Sequence, residues 1–354
     1  DEGAPTGAFP VRAAELRLGH LQALVATVDT DATVDAFTVT AEKVYDPDRN
    51  EVSTGGRIEV ELVVGGSDRL AGTHPVVVKV TAPEIGATPP YRDEVAVYTR
   101  LLPELGLETP RCFGGRFDEA TGTFGLVLED LTARGATFPN VKTPISVEHV
   151  ARLLDLLAEL HAAHWDSPRL STDLAFVAPH TSGELATLFN HPALVPALIR
   201  EQVETVQFKR ELLESTGRTV DDLYDEVRKV QHHQAGLART ICHGDTHVGN
   251  TYVLPDGTPG LVDWQLAAQG HGMHDVTYLI VTALSVAQRR AHERELIAHY
   301  LDRLATAGVH APPTFDEAWL EHRRAAVWGL YIGWLTTPIA NYGWDITVCN
   351  HIRL

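Results

Sequence analysis

The sequence predicts an α+β protein of two lobes, with a small antiparallel-sheet N-terminal lobe over residues 1–130 and a larger, mainly helical C-terminal lobe over 131–354. Three observations lead there. Before residue 130 the apolar residues alternate or cluster as β-formers between turn-rich stretches. From Leu131 onward they recur at helical spacing. The length of 354 residues exceeds one typical domain and suits two lobes with a cleft between them.

The elements follow in order. Residues 34–45 and 57–64 read as strands; in the second, Ile58, Val60, Leu62 and Val64 share one face while Arg57, Glu59 and Glu61 share the other. Asp46 to Gly56 between them is turn-rich. A third strand, Pro75 to Thr81, carries Lys79 inside a Val-Val-Val-Lys-Val run. Tyr91 to Leu102 reads as a helix that begins after Pro89-Pro90 and is closed by Pro103. Strands at 111–117 and 123–129 flank the turn Asp118 to Gly122. In the second lobe, residues 147–164 place Val150, Leu153, Leu154, Leu157, Leu160 and His161 at helical spacing, with Ser146 as N-cap. Ser285 and Gln288 form a capping box opening a helix toward Gly308. Residues 241–263 are a short β-like interruption among the helices.

Composition narrows the functional classes. A hydrophobic fraction of 44% with 21% charged residues describes an ordinary globular chain. A formal net charge of −18 argues against a nucleic-acid partner held through its phosphates. It also requires that any polyanionic ligand be met by a local basic residue and by metal, because the overall field repels it. Cys112, Cys242 and Cys349 are odd in number and scattered, so neither a disulfide framework nor a zinc spacing follows. Residues 1–10 lack the basic start and apolar core of a signal peptide, and the chain opens at Asp1 rather than Met, as after trimming of an upstream segment. The longest apolar stretch of the C-terminal region, Ala325 to Leu335, is too short to span a bilayer. The expectation is a cytoplasmic protein without nucleic-acid or membrane partners, its oligomeric state open.

Chemistry concentrates in the interruption. His243-Gly244-Asp245-Thr246-His247-Val248-Gly249-Asn250 sets a carboxylate and an amide five residues apart, and Asp263 follows a short apolar strand. Phosphoryl transfer from a nucleotide needs a residue to receive the acceptor hydroxyl's proton and oxygen ligands that hold Mg²⁺ on the phosphates. Asp245 fits the first role, and Asn250 with Asp263 the second. An Asp beside Gly is by itself only a turn, but a lone acid ending an apolar strand is costly unless it meets a metal or a donor. Lys79 by itself reads as a lysine snorkelling from a strand. Glu94, early in the only helix of its lobe, supplies a partner that would aim the ammonium at nucleotide phosphates, the competing account being a solvated face shared with Arg92, Asp93 and Arg100.

Lys79, Glu94, the segment Val127-Leu128-Glu129-Asp130-Leu131, HGDTHVGN at 243–250 and LVDWQ at 261–265 together resemble the aminoglycoside phosphotransferase and choline kinase-like family, which includes ecdysteroid kinase-like members. The resemblance covers most of the chain and implies the protein-kinase-like fold. It further implies transfer of the γ-phosphoryl of ATP (or GTP) to a hydroxyl of a small-molecule acceptor. Asp245 would be the base, Asn250 and Asp263 the Mg²⁺ ligands, Lys79 the phosphate contact and Glu94 its anchor. The backbone near Glu129 to Leu131 would meet the adenine edge. Two departures stand out. Trp264-Gln265 replaces the Phe-Gly that follows the metal-binding Asp of protein kinases, and the 53–57 turn, Ser-Thr-Gly-Gly-Arg, lacks a full G-x-G-x-x-G.

Two other readings compete. A pseudokinase would bind nucleotide without turnover, against which the intact Lys, Glu, Asp, Asn, Asp set argues. The string His243, Asp245, His247 would suit a metallohydrolase, but no further histidines fall in ligand spacing, and His243 reads as a buried partner of the loop backbone. The aromatic supply near the C-terminus (Trp328, Tyr331, Trp334, Tyr342, Trp344) contains no dense run of acids. Core packing accounts for most of these rings, and any that face Asp245 would favour a neutral, partly apolar acceptor over a polycationic one.

Overall fold

The computed structural model describes residues 8–43, 55–82, 88–336 and 339–353. The chain divides into two compact units, Asp1–Thr137 and Phe138–Leu354. The first opens with α1 (Leu18–Val25), then β1 (Thr33–Lys43), β2 (Gly55–Gly65), β3 (Gly72–Thr81), α2 (Thr88–Ala96), β4 (Cys112–Asp118) and β5 (Thr123–Glu129). All pairings in the five-stranded sheet are antiparallel, in the order β1-β2-β3-β5-β4.

The alternation read in β2 is realised: Ile58, Val60, Leu62 and Val64 are buried beside Val76, Val78 and Val80 of β3 and Leu21 and Leu24 of α1. Each such side chain contributes about 1.5–3 kcal/mol of burial. Because successive strand residues face opposite sides, Lys79 leaves this cluster and turns away from Val78 and Val80. The predicted helix at 91–102 starts earlier and ends in two tighter or looser turns, a π turn over Val97–Leu101 and a 3₁₀ turn over Leu102–Glu104. Pro89 and Pro90 sit in its first turn, where a missing N–H costs the helix nothing. The end of the first predicted strand, Val44-Tyr45, and Ser53-Thr54 of the glycine turn lie outside the described residues. Gly55, Gly56 and Arg57 of that turn are strand, paired with Thr81, Val80 and Lys79.

The second unit is helical around two short antiparallel strand pairings. Its elements are α3 (Val147–Ala163), α4 (Gly183–Phe189), α5 (Leu194–Thr205), α6 (Gln207–Thr216) and α7 (Val220–Gln234), then β6 (Thr240–Cys242), β7 (Thr251–Val253), β8 (Pro259–Leu261) and β9 (Ala268–Gly270). There follow α8 (Met273–Ala283), α9 (Val286–Thr306), α10 (Phe315–Thr336) and α11 (Ile339–Arg353). Both expected caps form: Ser146 accepts the His149 N–H, and Ser285 with Gln288 closes a capping box. Every residue of α8 is buried, which makes it the central helix. It packs along α10, and α3 packs along α9. β6 pairs with β9 and β7 with β8, so the 243–250 loop hangs from β6 and returns through β7. Among the described residues no helix is long and apolar enough to cross a membrane.

Candidate active site

In the first unit the structure joins Lys79 to Glu94: Nζ lies 2.5 Å from Oε1, with side-chain exposures of 10% and 0%. A pair this deep survives only because each charge answers the other. Glu129 ends β5, and its N–H donates to the Arg111 carbonyl while its carboxylate meets Arg134 at 3.3 Å. The Asp130 N–H is taken by the Pro75 carbonyl. Leu131 is buried at the start of the 3₁₀ turn Leu131–Arg134, and among the described residues its N–H has no acceptor. It is one of the orphan donors that any helical turn leaves at its start.

In the second unit the loop residues are laced in a closed circuit. The Asp245 N–H donates to His243 Nδ1 (3.3 Å), and His243 Nε2 donates to the Val262 carbonyl (3.0 Å). The Val262 N–H donates to the Asn250 carbonyl (2.9 Å). Asn250 Nδ2 closes the circuit on the Asp245 carbonyl (2.9 Å) and on Asp245 Oδ2 (3.0 Å). The structure therefore brings together Asp245, Asn250 and the residue preceding Asp263. Two oxygens stay open among the described residues, Oδ1 of Asp245 and Oδ1 of Asn250. Asp263 is half-buried and takes φ +65°, the left-handed region that costs a side chain about 1–2 kcal/mol. Backbone strain of this kind collects where a side chain must be aimed.

His243 is fully buried, and burial pushes its pKa down, so the ring is neutral with one nitrogen accepting and the other donating. The Trp264 ring packs on it with centroids 4.6 Å apart, which gives a structural reason for Trp after Asp263. With both His243 nitrogens in use and His247 Nδ1 accepting the Gly249 N–H (3.1 Å), the string 243, 245, 247 has no set of free ligands for a hydrolytic metal centre. Gly244 lies at φ +84°, and a Cβ there would stand 1.9 Å from the Leu266 carbonyl oxygen, so only glycine fits between Asp245 and β6.

The residue that sequence reasoning missed is Asp275, near the start of α8. Its carboxylate accepts the His243 N–H (2.6 Å) on Oδ2 and the Gly244 N–H (2.9 Å) on Oδ1, and its carbonyl accepts Thr246 Oγ1 (2.7 Å). His161 Nε2 lies 3.1 Å from Oδ2, and His161 Nδ1 bonds the Tyr300 hydroxyl (2.8 Å). Complete burial raises the Asp275 pKa, but the His161 hydrogen bond and the surrounding imidazoles outweigh it and bring the group down to about 2. His161, Cys242 and Asp275 lie close enough to resemble a metal cluster, yet the His161 and Asp275 donors and acceptors are already committed to one another and to the loop. The missed signal was an acid opening the apolar run Val276 to Leu284, the same cost argument that singles out Asp263.

The aromatic supply divides. Trp328 (7% exposed) and Tyr331 (0%) belong to the helical core, with the Tyr331 hydroxyl donating to the Phe189 carbonyl. Trp344 is 58% exposed, and the side chains of Trp334 and Tyr342 lie outside the described ones. Trp328 and Tyr331 thus pack the core.

A five-stranded antiparallel sheet followed by a helical region that carries an Asp-Asn loop is the kinase-like architecture. The chain is similar in fold to a choline kinase from Cryptosporidium parvum Iowa II, with a TM-score of 0.54 at 10% identity over 92% of this chain and 87% of that one. Further matches are an aminoglycoside-3'-phosphotransferase of type VIII (18% identity, 82% and 93% of the two chains, TM-score 0.47) and choline kinase LicA from Streptococcus pneumoniae (14%, 88% and 92%, 0.49). Residues 52–310 match the Ecdysteroid kinase-like family, and the chain belongs to it. No curated protein matches the sequence.

Proposed function

We propose that the protein is a small-molecule kinase that transfers the γ-phosphoryl of ATP or GTP to a hydroxyl group. The observation that carries this reading is the Asp245 carboxylate. Its N–H, carbonyl and Oδ2 are all engaged within the loop, and one oxygen, Oδ1, is left open at a half-buried position. A hydroxyl donating to that oxygen becomes a better nucleophile as its proton moves onto the carboxylate.

Asn250 Oδ1 and the Asp263 carboxylate form an all-oxygen donor set of the kind Mg²⁺ prefers. The open Asn250 oxygen and the strained Asp263 backbone both fit such an ion. Bound there, the metal would neutralise charge on the transferring phosphoryl group. In the first unit the Lys79 ammonium, held by Glu94, would meet the nucleotide phosphates. The Leu131 N–H would donate to the base edge, beside Glu129. The acceptor is a small molecule carrying a hydroxyl; with Trp328 and Tyr331 packed in the core, two of the rings that would favour an apolar acceptor no longer argue for one.

The test is release of nucleoside diphosphate from ATP or GTP with Mg²⁺ across a panel of alcohols, amino-alcohols and amino-sugars. Asp245→Asn is expected to abolish turnover while leaving nucleotide binding near that of the unaltered protein. Turnover that survives Asp245→Asn overturns the assignment. Nucleotide binding without turnover in the unaltered protein points to a pseudokinase.

A further inference from the structure

We propose that His247 is a positioning residue for the transfer step, a neutral N–H donor that holds the Asp245 carboxylate while Oδ1 receives the acceptor's proton. The proposal rests on the kinase reading above. Its geometry starts from Gly249, whose N–H donates to His247 Nδ1 at 3.1 Å. A nitrogen that accepts carries no hydrogen, so in the neutral ring the hydrogen is on Nε2. Nε2 lies 3.7 Å from Asp245 Oδ2, the oxygen that Asn250 Nδ2 already holds at 3.0 Å. The ring stands edge-on to Tyr278, with centroids 6.3 Å apart at 78°, so its direction is set from two sides.

Capping alone does not account for histidine at this position. His247 is the N-cap of the turn Val248–Asn250, and that role asks only for a side-chain acceptor, which Ser, Thr, Asp or Asn supplies better. Histidine adds a second nitrogen across the ring, and here that nitrogen faces the catalytic carboxylate. Nor is His247 the base. Nε2 already bears its hydrogen, and a proton on Nδ1 would set two donors against each other at Gly249. The acceptor's proton therefore stays on Asp245, and His247 gives a hydrogen bond without taking a proton. A gap of 3.7 Å needs less than ~1 Å of closure, the tightening that catalytic hydrogen bonds undergo when substrate binds.

His247→Asn separates the two roles, because asparagine keeps the cap but its amide is too short to reach Asp245. His247→Gln restores a longer N–H donor. ADP release from Mg²⁺-ATP is measured with the best hydroxyl compound of the panel, or with water when none is better. His247→Asn is expected to lower kcat about ten- to hundredfold, the worth of one hydrogen bond to a charged group. The nucleotide KM and the unfolding midpoint should stay unchanged, and His247→Gln should recover part of the loss. A second readout needs no turnover: ¹⁵N shifts of the His247 ring at neutral pH should report hydrogen on Nε2 only, with the Nε2 signal moving in Asp245→Asn. An unchanged kcat in His247→Asn, or hydrogen on Nδ1, overturns the proposal. If Asp245→Asn itself keeps full turnover, the assignment of Asp245 as the base fails, and the ring-nitrogen signals still decide the His247 geometry.

Discussion

Removing the Asp275 carboxylate should collapse the 243–250 loop from behind. In Asp275→Ala the buried N–H groups of His243 and Gly244 lose their acceptor, and His161 loses its partner. Each buried donor left unsatisfied costs about 1–3 kcal/mol. Breaking a buried pair by removing one member costs about 3–5 kcal/mol. These terms overlap, so a net loss of about 3–5 kcal/mol is expected, a large share of the roughly 5–15 kcal/mol that holds a domain together. Asp275→Asn keeps one acceptor oxygen and sets an amide donor against an N–H donor, and should lose about half as much. The assay is urea unfolding followed by fluorescence of the buried Trp264, whose ring packs on His243. The midpoint should fall at unchanged slope. Turnover should drop as well, since a displacement of the loop by ~1 Å costs roughly 100-fold. An Asp275→Ala protein within ~0.5 kcal/mol of the parent, a change typical of an ordinary surface substitution, would refute the reasoning.

The same carboxylate sets an acid limit. Its pKa of about 2 lies below the ordinary 3.8, so its stabilisation is complete above the ordinary value and is lost as pH falls toward the lower one. This amounts to roughly 2 kcal/mol, which Asp275→Asn should remove from the pH dependence of the urea midpoint between those limits. For the Lys79–Glu94 pair, Lys79→Ala should weaken nucleotide use and Glu94→Ala should do so more mildly. A double-mutant cycle should give a coupling of about 1 kcal/mol or more, and strict additivity would mean that the side chains do not interact. Gly244→Ala should destabilise by at least about 2 kcal/mol, because a Cβ meets the Leu266 carbonyl and the backbone must stay left-handed. A thermal unfolding curve that overlays the parent's would contradict the close approach.

What the sequence by itself determined was local. The alternation of Ile58, Val60, Leu62 and Val64 and the caps at Ser146 and Ser285 depend on residues within a few positions of one another, and they formed as read. The spacing of Asp245 and Asn250 anticipated their contact within one loop, and His243 was rightly read as a partner of the loop backbone. Tertiary structure decided the rest. The sheet places β5 between β3 and β4, which no pairwise pattern specified, and it joined Lys79 to a carboxylate fifteen positions away. It made Trp328 and Tyr331 core residues, since an aromatic helix face looks the same in sequence whether it meets a ligand or a neighbouring helix. It also hid the anchor of the loop. Asp275 meets His243 and Gly244 across about thirty residues and His161 across more than a hundred, and a buried charge is explained only by the donors that the fold brings to it.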